Sequence, residues 1–219
     1  MILHRILELQ AHTVIRKLTD TQEEYEFIES LIESQKPAYP RKEHHYLIQT
    51  SFRYALPVPV QYQARFKPPF SHRNCFYGAE HYHTSAYEYA YHWLRQRVHL
   101  ENLSQEAQAR THFTVSFKDA QAIDLRKNPS CQGVMDRKDY GASHEFIQAH
   151  PLATSILYPS CRDPEQRVCV VTFEIETLGK KALSEKTLYF VYQAARKSCS
   201  IQDILQDDLP LEVRWSEVA

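Results

Sequence analysis

Glycine is scarce: there are four in 219 residues, at Gly78, Gly133, Gly141 and Gly179. A dinucleotide-binding GxGxxG turn needs glycines two and three positions apart, and a P-loop needs two within six positions followed by Lys and Ser or Thr. No two glycines stand closer than eight residues, so neither phosphate-cradling loop can be written. A nucleotide would have to be held by side chains and ordinary backbone. Long apolar runs are also missing. Without a window of about 18 apolar residues no transmembrane helix is expected, and Met1–Glu8 lacks the pattern of a secretory leader. Neither charge sign dominates: 26 Lys and Arg stand against 27 Asp and Glu, a net charge of −1. That balance offers no electrostatic case for general nucleic-acid or membrane-surface binding. The five cysteines (Cys75, Cys131, Cys161, Cys169, Cys199) are odd in number and form no CxxC pair, so neither a disulfide framework nor a zinc knuckle is expected. Reduced thiols and a cytoplasmic location follow as the expectation.

The length suits one domain with an extension and lets the chain bury roughly 70% of its unfolded surface. The first stretch, residues 1–45, reads as a helical N-terminal arm. Thr21 to Glu24 is a capping box, and Phe27, Ile28, Leu31 and Ile32 then share a helical face with Tyr25 at its edge. Lys36-Pro37 ends that helix. The face is read chiefly as packed on the chain's own core, with a partner-docking surface as the alternative. From residue 46 onward a catalytic-type domain is expected to run to residue 219. Tyr46–Tyr54 has the composition of a strand, and Pro57, Pro59, Pro68 and Pro69 break the chain around Gln61–Phe66. Cys75–Ala79 reads as a short buried strand, Ser85–Val98 as a helix, and Phe113–Phe117, Val168–Ile175 and Leu188–Tyr192 as strands. This mixture predicts a single α+β domain.

Twelve histidines raise the question of a metal. His144 and His150 are too far apart for HExxH, His81 and His83 lack a third ligand, and Glu88 with His92 at i, i+4 is one carboxylate and one imidazole. No metal site is therefore expected. Neither GxSxG nor a reactive-cysteine motif is present, although a spatial triad is beyond the reach of sequence.

The informative segments are Ala64-Arg65-Phe66-Lys67-Pro68-Pro69, Phe76-Tyr77-Gly78-Ala79 with the tyrosine-rich run to Trp93, and Ile156 to Arg162. With Tyr46–Tyr54 before them, they resemble the RES domain family, named for its Arg, Glu and Ser. The likeness covers about residues 46–175, and Lys17–Asp20 and Ser34–Pro37 resemble the longer-armed branch of that family. The resemblance places the family arginine on Arg65, the tyrosine on Tyr77, the glutamate on Glu88 and the serine on Ser160, with Arg53 as a second arginine. Gln63-Ala64 stands where relatives often carry glycine, and Ala86-Tyr87-Glu88-Tyr89-Ala90-Tyr91 is bulkier than the usual small-residue helix. The resemblance implies a fold similar to ADP-ribosyltransferase toxins. It implies NAD as substrate, cleaved by phosphorolysis or hydrolysis at the nicotinamide–ribose bond or used to ADP-ribosylate a target. It also implies a toxin neutralised by an Xre-like antitoxin. Inorganic phosphate is then a candidate co-substrate. The residues leave the oligomeric state open, a homo-oligomer included.

Those residue types suit that chemistry. Cleavage passes through an oxocarbenium-like state, which a carboxylate beside the ribose stabilises; Glu88 is the candidate. Arg65 and Arg53 suit the diphosphate, because guanidinium binds phosphate bidentately. Tyr77 could stack on a base, Ser160 could donate to phosphate or ribose, and Arg162 could hold incoming phosphate. Plainer roles compete. Ser85 and Glu88 also spell a capping box. Arg65 fits a surface position, Tyr77 a core aromatic and Ser160 a turn, while Tyr87 and Tyr91 suit helix packing. A catalytically weak, partner-binding module is the reading of a different class.

Overall fold

Two long strands set the frame: β3 (Gln105–Phe117) and β7 (Leu178–Gln193) pair antiparallel from Gln105↔Gln193 to Phe117↔Leu178. The computed structural model describes residues 1–8, 19–53, 63–126, 133–203, 205 and 209–219. Lys17, Leu18, Tyr54, Pro57, Pro59, Gln61, Tyr62 and Cys131 of the readings above lie outside them. The remaining strands are β1 (Ile2–Glu8), β2 (Phe76–Ala79), β4 (Ile123–Asp124), β5 (Ser155–Pro159), β6 (Val168–Thr172), β8 (Ser198–Gln202) and β9 (Leu211–Arg214). Together they form one sheet in the order β4-β5-β6-β2-β1-β3-β7-β8-β9, antiparallel except for β4 with β5. The helices are α1 (Gln22–Gln35), α2 (Tyr46–Arg53), α3 (Tyr82–Arg95), α4 (Gly141–Ala149) and α5 (Trp215–Val218). The chain is thus α+β.

Strand periodicity sorts the core onto two faces. One face is continuous: Leu3, Phe76, Phe113, Val115, Leu157 and Val170 pack with Leu47 and Ile48 of α2. The other is divided. Ile6, Leu188, Phe190 and Tyr192 pack under Ala86, Ala90, Trp93 and Leu94 of α3, whereas Ala79, Ile156, Tyr158, Cys169 and Val171 pack with Phe66 and with Ile147 of α4. The division falls where β1 meets β2. Those strands share a single pair, His4↔Ala79, while each is fully laddered on its other side. Gly78 sits at this seam. A Cβ there would lie 3.1 Å from Leu3 Cβ and from a Phe76 ring carbon, a close approach that favours glycine.

Several sequence expectations change. Ile2–Glu8 is a central strand rather than the beginning of a helical arm. Its apolar pairs Ile2-Leu3 and Ile6-Leu7 fit a helical spacing, but the edge of β3 supplies seven paired residues, and tertiary pairing overrides the local pattern. Tyr46–Arg53 is a helix, not a strand, because its adjacent Leu47 and Ile48 both bury in one direction, against the sheet. The helix expected from Ser85 begins at Tyr82 and ends at Arg95, and the strand expected to reach Ile175 stops at Thr172. The arm helix α1 carries the expected capping box, with Glu24 N–H donating to Thr21 Oγ1 at 3.1 Å and Thr21 N–H to Glu24 Oε2 at 3.3 Å. Its apolar face is not packed on the core, however. Tyr25 is buried, but Phe27, Leu31 and Ile32 are 69%, 51% and 41% exposed. Among the described residues no helix is long and apolar enough to cross a membrane.

A histidine pair beneath α3 makes the fold acid-sensitive. His4 Nδ1 and His112 Nε2 lie 3.1 Å apart, their rings are stacked, and Tyr82 meets His112 edge-on. Burial, reinforced by His4 and Lys186, pushes the His112 imidazole down to about 3, and burial lowers His4 as well. The unfolded chain binds protons below its ordinary value of about 6.5, and the folded chain resists them until far lower pH. Stability is therefore complete above about pH 6.5 and falls as pH drops towards 3, by on the order of 3–5 kcal/mol from His112 alone. Chemical denaturation across that window should show the decline, and His112→Gln should flatten it. An unchanged slope in the variant would remove His112 as its cause.

Candidate active site

A cavity of about 380 Å³ opens at the seam between β1 and β2, and Arg5, Arg65, Tyr77, Glu88, Tyr91 and Arg162 are in its wall. The seam itself explains the place. Beyond His4↔Ala79 the two strands make no further ladder, and a side chain crosses between them instead: Arg5 Nη1 donates to Tyr77 O at 3.1 Å. The Arg5 guanidinium also lies 4.4 Å over the Phe76 ring. Burial lowers its pKa to about 10, so it keeps its charge at neutral pH.

Glu88 enters from α3. The helix starts after His81, so Ser85 and Glu88 both lie inside it, which removes the capping-box role considered above. Glu88 Oε1 accepts a hydrogen bond from Ser160 Oγ at 2.6 Å and a weaker one from Cys169 Sγ at 3.8 Å. Burial holds the Cys169 thiol well above its usual pKa, so it stays a neutral donor. Glu88 Oε2 has no protein hydrogen bond among the described residues.

Ser160 stands at the exit of β5 with its side chain buried. Its oxygen accepts the N–H groups of Arg162 at 3.1 Å and Asp163 at 2.9 Å. The turn expected there exists, but the hydroxyl proton is committed to Glu88, so the donation to phosphate or ribose expected of Ser160 is replaced by a carboxylate contact. Arg65 and Phe66 form the tip of a tight reversal closed by Ala64 and Lys67. Phe66 turns into the core and Arg65 into the cavity wall. Arg65 Nη1 donates to Val134 O at 2.7 Å, and its guanidinium lies 4.9 Å over the Tyr140 ring. Its other guanidinium N–H groups have no protein acceptor among the described residues. Tyr77 is both core and wall. Its Oη accepts the Phe66 N–H at 3.0 Å, and burial raises the phenol well above its ordinary pKa.

Two expected ligands are placed differently. Arg53 is outside the cavity. It belongs to the arm contact, donating to Glu33 Oε1 at 2.6 Å and to Pro37 O, and stacking on Tyr39 at 4.0 Å. Arg162 reaches the cavity wall, but its Nη1 donates to Val218 O at 2.6 Å, its Nη2 to Arg137 O, and its face covers Tyr91 at 3.5 Å. An incoming phosphate would compete with all three contacts. Sequence reading missed Arg5, Cys169 and Tyr158. Arg5 alone left a signal, a cation beside His4 within an otherwise apolar stretch from Ile2 to Leu7. Tyr91, assigned to packing, packs on Trp215 and lines the cavity as well. Among the described residues no three His, Cys, Asp or Glu side chains come close enough to hold a metal ion.

Residues 37–190, well over half of the chain, match the RES domain. No curated protein matches it. The matched span includes Arg65, Tyr77, Glu88 and Ser160, whereas the strand that carries Arg5 and the helix that anchors Arg162 lie beyond its two ends.

The Tyr77–Phe66 contact ties the cavity wall to the Arg65 turn. Tyr77→Phe leaves the Phe66 N–H without its acceptor and should lower stability by about 1–2 kcal/mol in chemical denaturation. A loss within error of zero would mean that the turn holds Arg65 without the phenol.

Proposed function

Because the chain belongs to the RES domain family, we propose that it cleaves NAD at the nicotinamide–ribose bond, with Glu88 as the carboxylate that stabilises the developing charge. The observation that carries this reading is the arrangement of that carboxylate. One oxygen is tied to Ser160 at 2.6 Å, the other has no described protein partner, and both belong to a side chain in the wall of a cavity that also holds Arg5 and Arg65. In the proposed reaction the C1′–N bond breaks and its electron pair returns to the pyridinium nitrogen, so nicotinamide leaves neutral. The ribose becomes oxocarbenium-like, as in glycoside cleavage. Glu88 Oε2 faces this positive charge or accepts from a ribose hydroxyl, and a preset anion needs no reorganisation to do so. Arg5 and Arg65, each anchored through one Nη to a backbone carbonyl, keep further donors for the diphosphate, as a chain without a glycine cradle requires. Phosphate, or water with loss of a proton to solvent, then forms the new C–O bond at C1′, giving the ADP-ribose phosphate ester or free ADP-ribose.

The biological role we infer is that of a toxin depleting NAD in the cytoplasm and restrained by an Xre-like antitoxin. The exposed Phe27, Leu31 and Ile32 of α1 support a partner-binding role for the arm beside the enzymatic one.

The test is release of nicotinamide from NAD by purified protein, with and without inorganic phosphate, with products identified by mass. Glu88→Gln should lose about 10²-fold or more while melting like the parent, and Arg65→Ala a similar factor per folded molecule, with lower stability from the lost Val134 contact. Phosphate dependence identifies a phosphorylase, free ADP-ribose identifies a glycohydrolase, and ADP-ribose on a macromolecule identifies a transferase. A folded, partner-free protein that leaves NAD intact would overturn the enzymatic reading.

A further inference from the structure

We propose that Arg162 is a positioning residue rather than a phosphate ligand. In this role it fastens helix α5 to the Ser160 turn and so sets where the Glu88 carboxylate points. The proposal deepens the NAD-cleaving reading, and its kinetic consequences rest on that reading.

The side chain is almost fully buried and both of its Nη groups are engaged. One Nη is held by the carbonyl of Val218, the other by that of Arg137, and the flat face by Tyr91 at 3.5 Å. A guanidinium clamps phosphate through two parallel N–H groups. Here each Nη already gives one N–H to a carbonyl and the plane is fixed against Tyr91, so turning the fork onto a phosphate would strain or break contacts that now hold it. The anchors are themselves fixed. Val218 is fully buried in the core beneath α3, and Trp215 N–H donates to Lys197 O at 2.9 Å. The Trp215 ring lies parallel to Tyr91, 5.7 Å away and 5° off parallel. Arg137 also donates back to Ala219 O at 3.3 Å, a second link between the 133–140 segment and the end of α5.

The main chain of Arg162 faces the other way. Its N–H and that of Asp163 occupy both lone pairs of Ser160 Oγ, which leaves the hydroxyl proton one direction, toward Glu88 Oε1 at 2.6 Å. A continuous set of contacts therefore runs from α5 through the guanidinium to the 162–163 backbone, to Ser160, and to the carboxylate. Only its distal end, α5, lies outside the stretch that matches the RES domain.

Two substitutions attack this connection from opposite ends: Arg162→Lys, and Trp215→Ala, which touches neither Ser160 nor Glu88. Amide hydrogen exchange reads the mechanical link without any assumption about activity. Both variants should exchange faster at residues 160–163 with β3 and β7 unchanged, and Trp215→Phe should restore slow exchange. Steady-state kinetics reads the consequence. Both should lower kcat by roughly tenfold to a hundredfold, the scale of a misplaced catalytic group, with KM for NAD and for phosphate unchanged. A selective rise in KM for phosphate in Arg162→Lys, with Trp215→Ala like the parent, would overturn the proposal in favour of a phosphate ligand. Parent-like exchange in both variants would overturn it outright. If the parent protein does not turn over NAD, the functional reading falls, and the exchange experiment still decides the positioning role.

Discussion

A single strand pair, His4 with Ala79, joins the two halves of the sheet, and the site depends on that economy of contact. Each half is strongly laddered on its outer side: β1 shares seven residue pairs with β3, and all four residues of β2 pair with β6. One face closes over this seam because α2 places Leu47 and Ile48 across it. On the other face α3 runs over β1 and on toward β2, β6 and β8, with Ala86, Ala90, Trp93 and Leu94 in the core beside Ile6 and Phe190, while Ile147 of α4 packs with Ile156 and Val171. An unfilled wedge remains beneath α3 where β1 and β2 part. Strand residues that would have paired, Arg5 and Gly78, line a cavity instead.

The electrostatics follow from the wedge. A chain with no glycine cradle must bring cations to any phosphate, and cations in a half-buried cleft must be held without being cancelled. Arg5 and Arg65 solve this alike. Each gives one N–H to a backbone carbonyl, Tyr77 O or Val134 O, and lies over an aromatic ring, Phe76 or Tyr140. A carbonyl fixes orientation while leaving the full positive charge, which a carboxylate partner would neutralise. Arg162 shows the other limit. With both Nη groups on carbonyls and its face on Tyr91, it has become part of the wall.

Sequence reading brought out local patterns, such as the capping box of α1, and failed where tertiary pairing decides. Arg65, Tyr77, Glu88 and Ser160 come from three separate segments, and motif order alone nominated them. The structure puts Arg65, Tyr77 and Glu88 in the wall of one cavity, with Ser160 held against the Glu88 carboxylate. Their partners were not legible, because the Ser160–Glu88 contact joins residues 72 apart and the Arg162–Val218 contact residues 56 apart. Secondary structure failed in short amphipathic stretches. Ile2–Glu8 has helical spacing and became a strand because β3 presented an edge, and the β-like composition of Tyr46–Arg53 gave way to a helix over the continuous face. The Ser85–Glu88 capping box was a coincidence of spacing, displaced by a helix that begins one turn earlier. The arm's apolar face was legible as a pattern. Whether it was covered depended on contacts that no local pattern carries.

The geometry at Ser160 also restricts what the site can do. A serine nucleophile needs an oxygen lone pair free to attack and a base to take its proton. Ser160 has the second in Glu88 but not the first, since the N–H groups of Arg162 and Asp163 occupy its oxygen. Freeing a lone pair would break one of two buried backbone bonds and leave an N–H unsatisfied. The hydroxyl therefore serves the carboxylate. By holding Oε1 it lowers the rotational freedom of Glu88 and leaves Oε2 presented, so in the proposed cleavage the carboxylate would meet the developing charge already oriented. A dissociative cleavage, in which the leaving group departs before the acceptor arrives, places its main demand on that preset anion. A covalent serine intermediate would require a different arrangement of the same three residues.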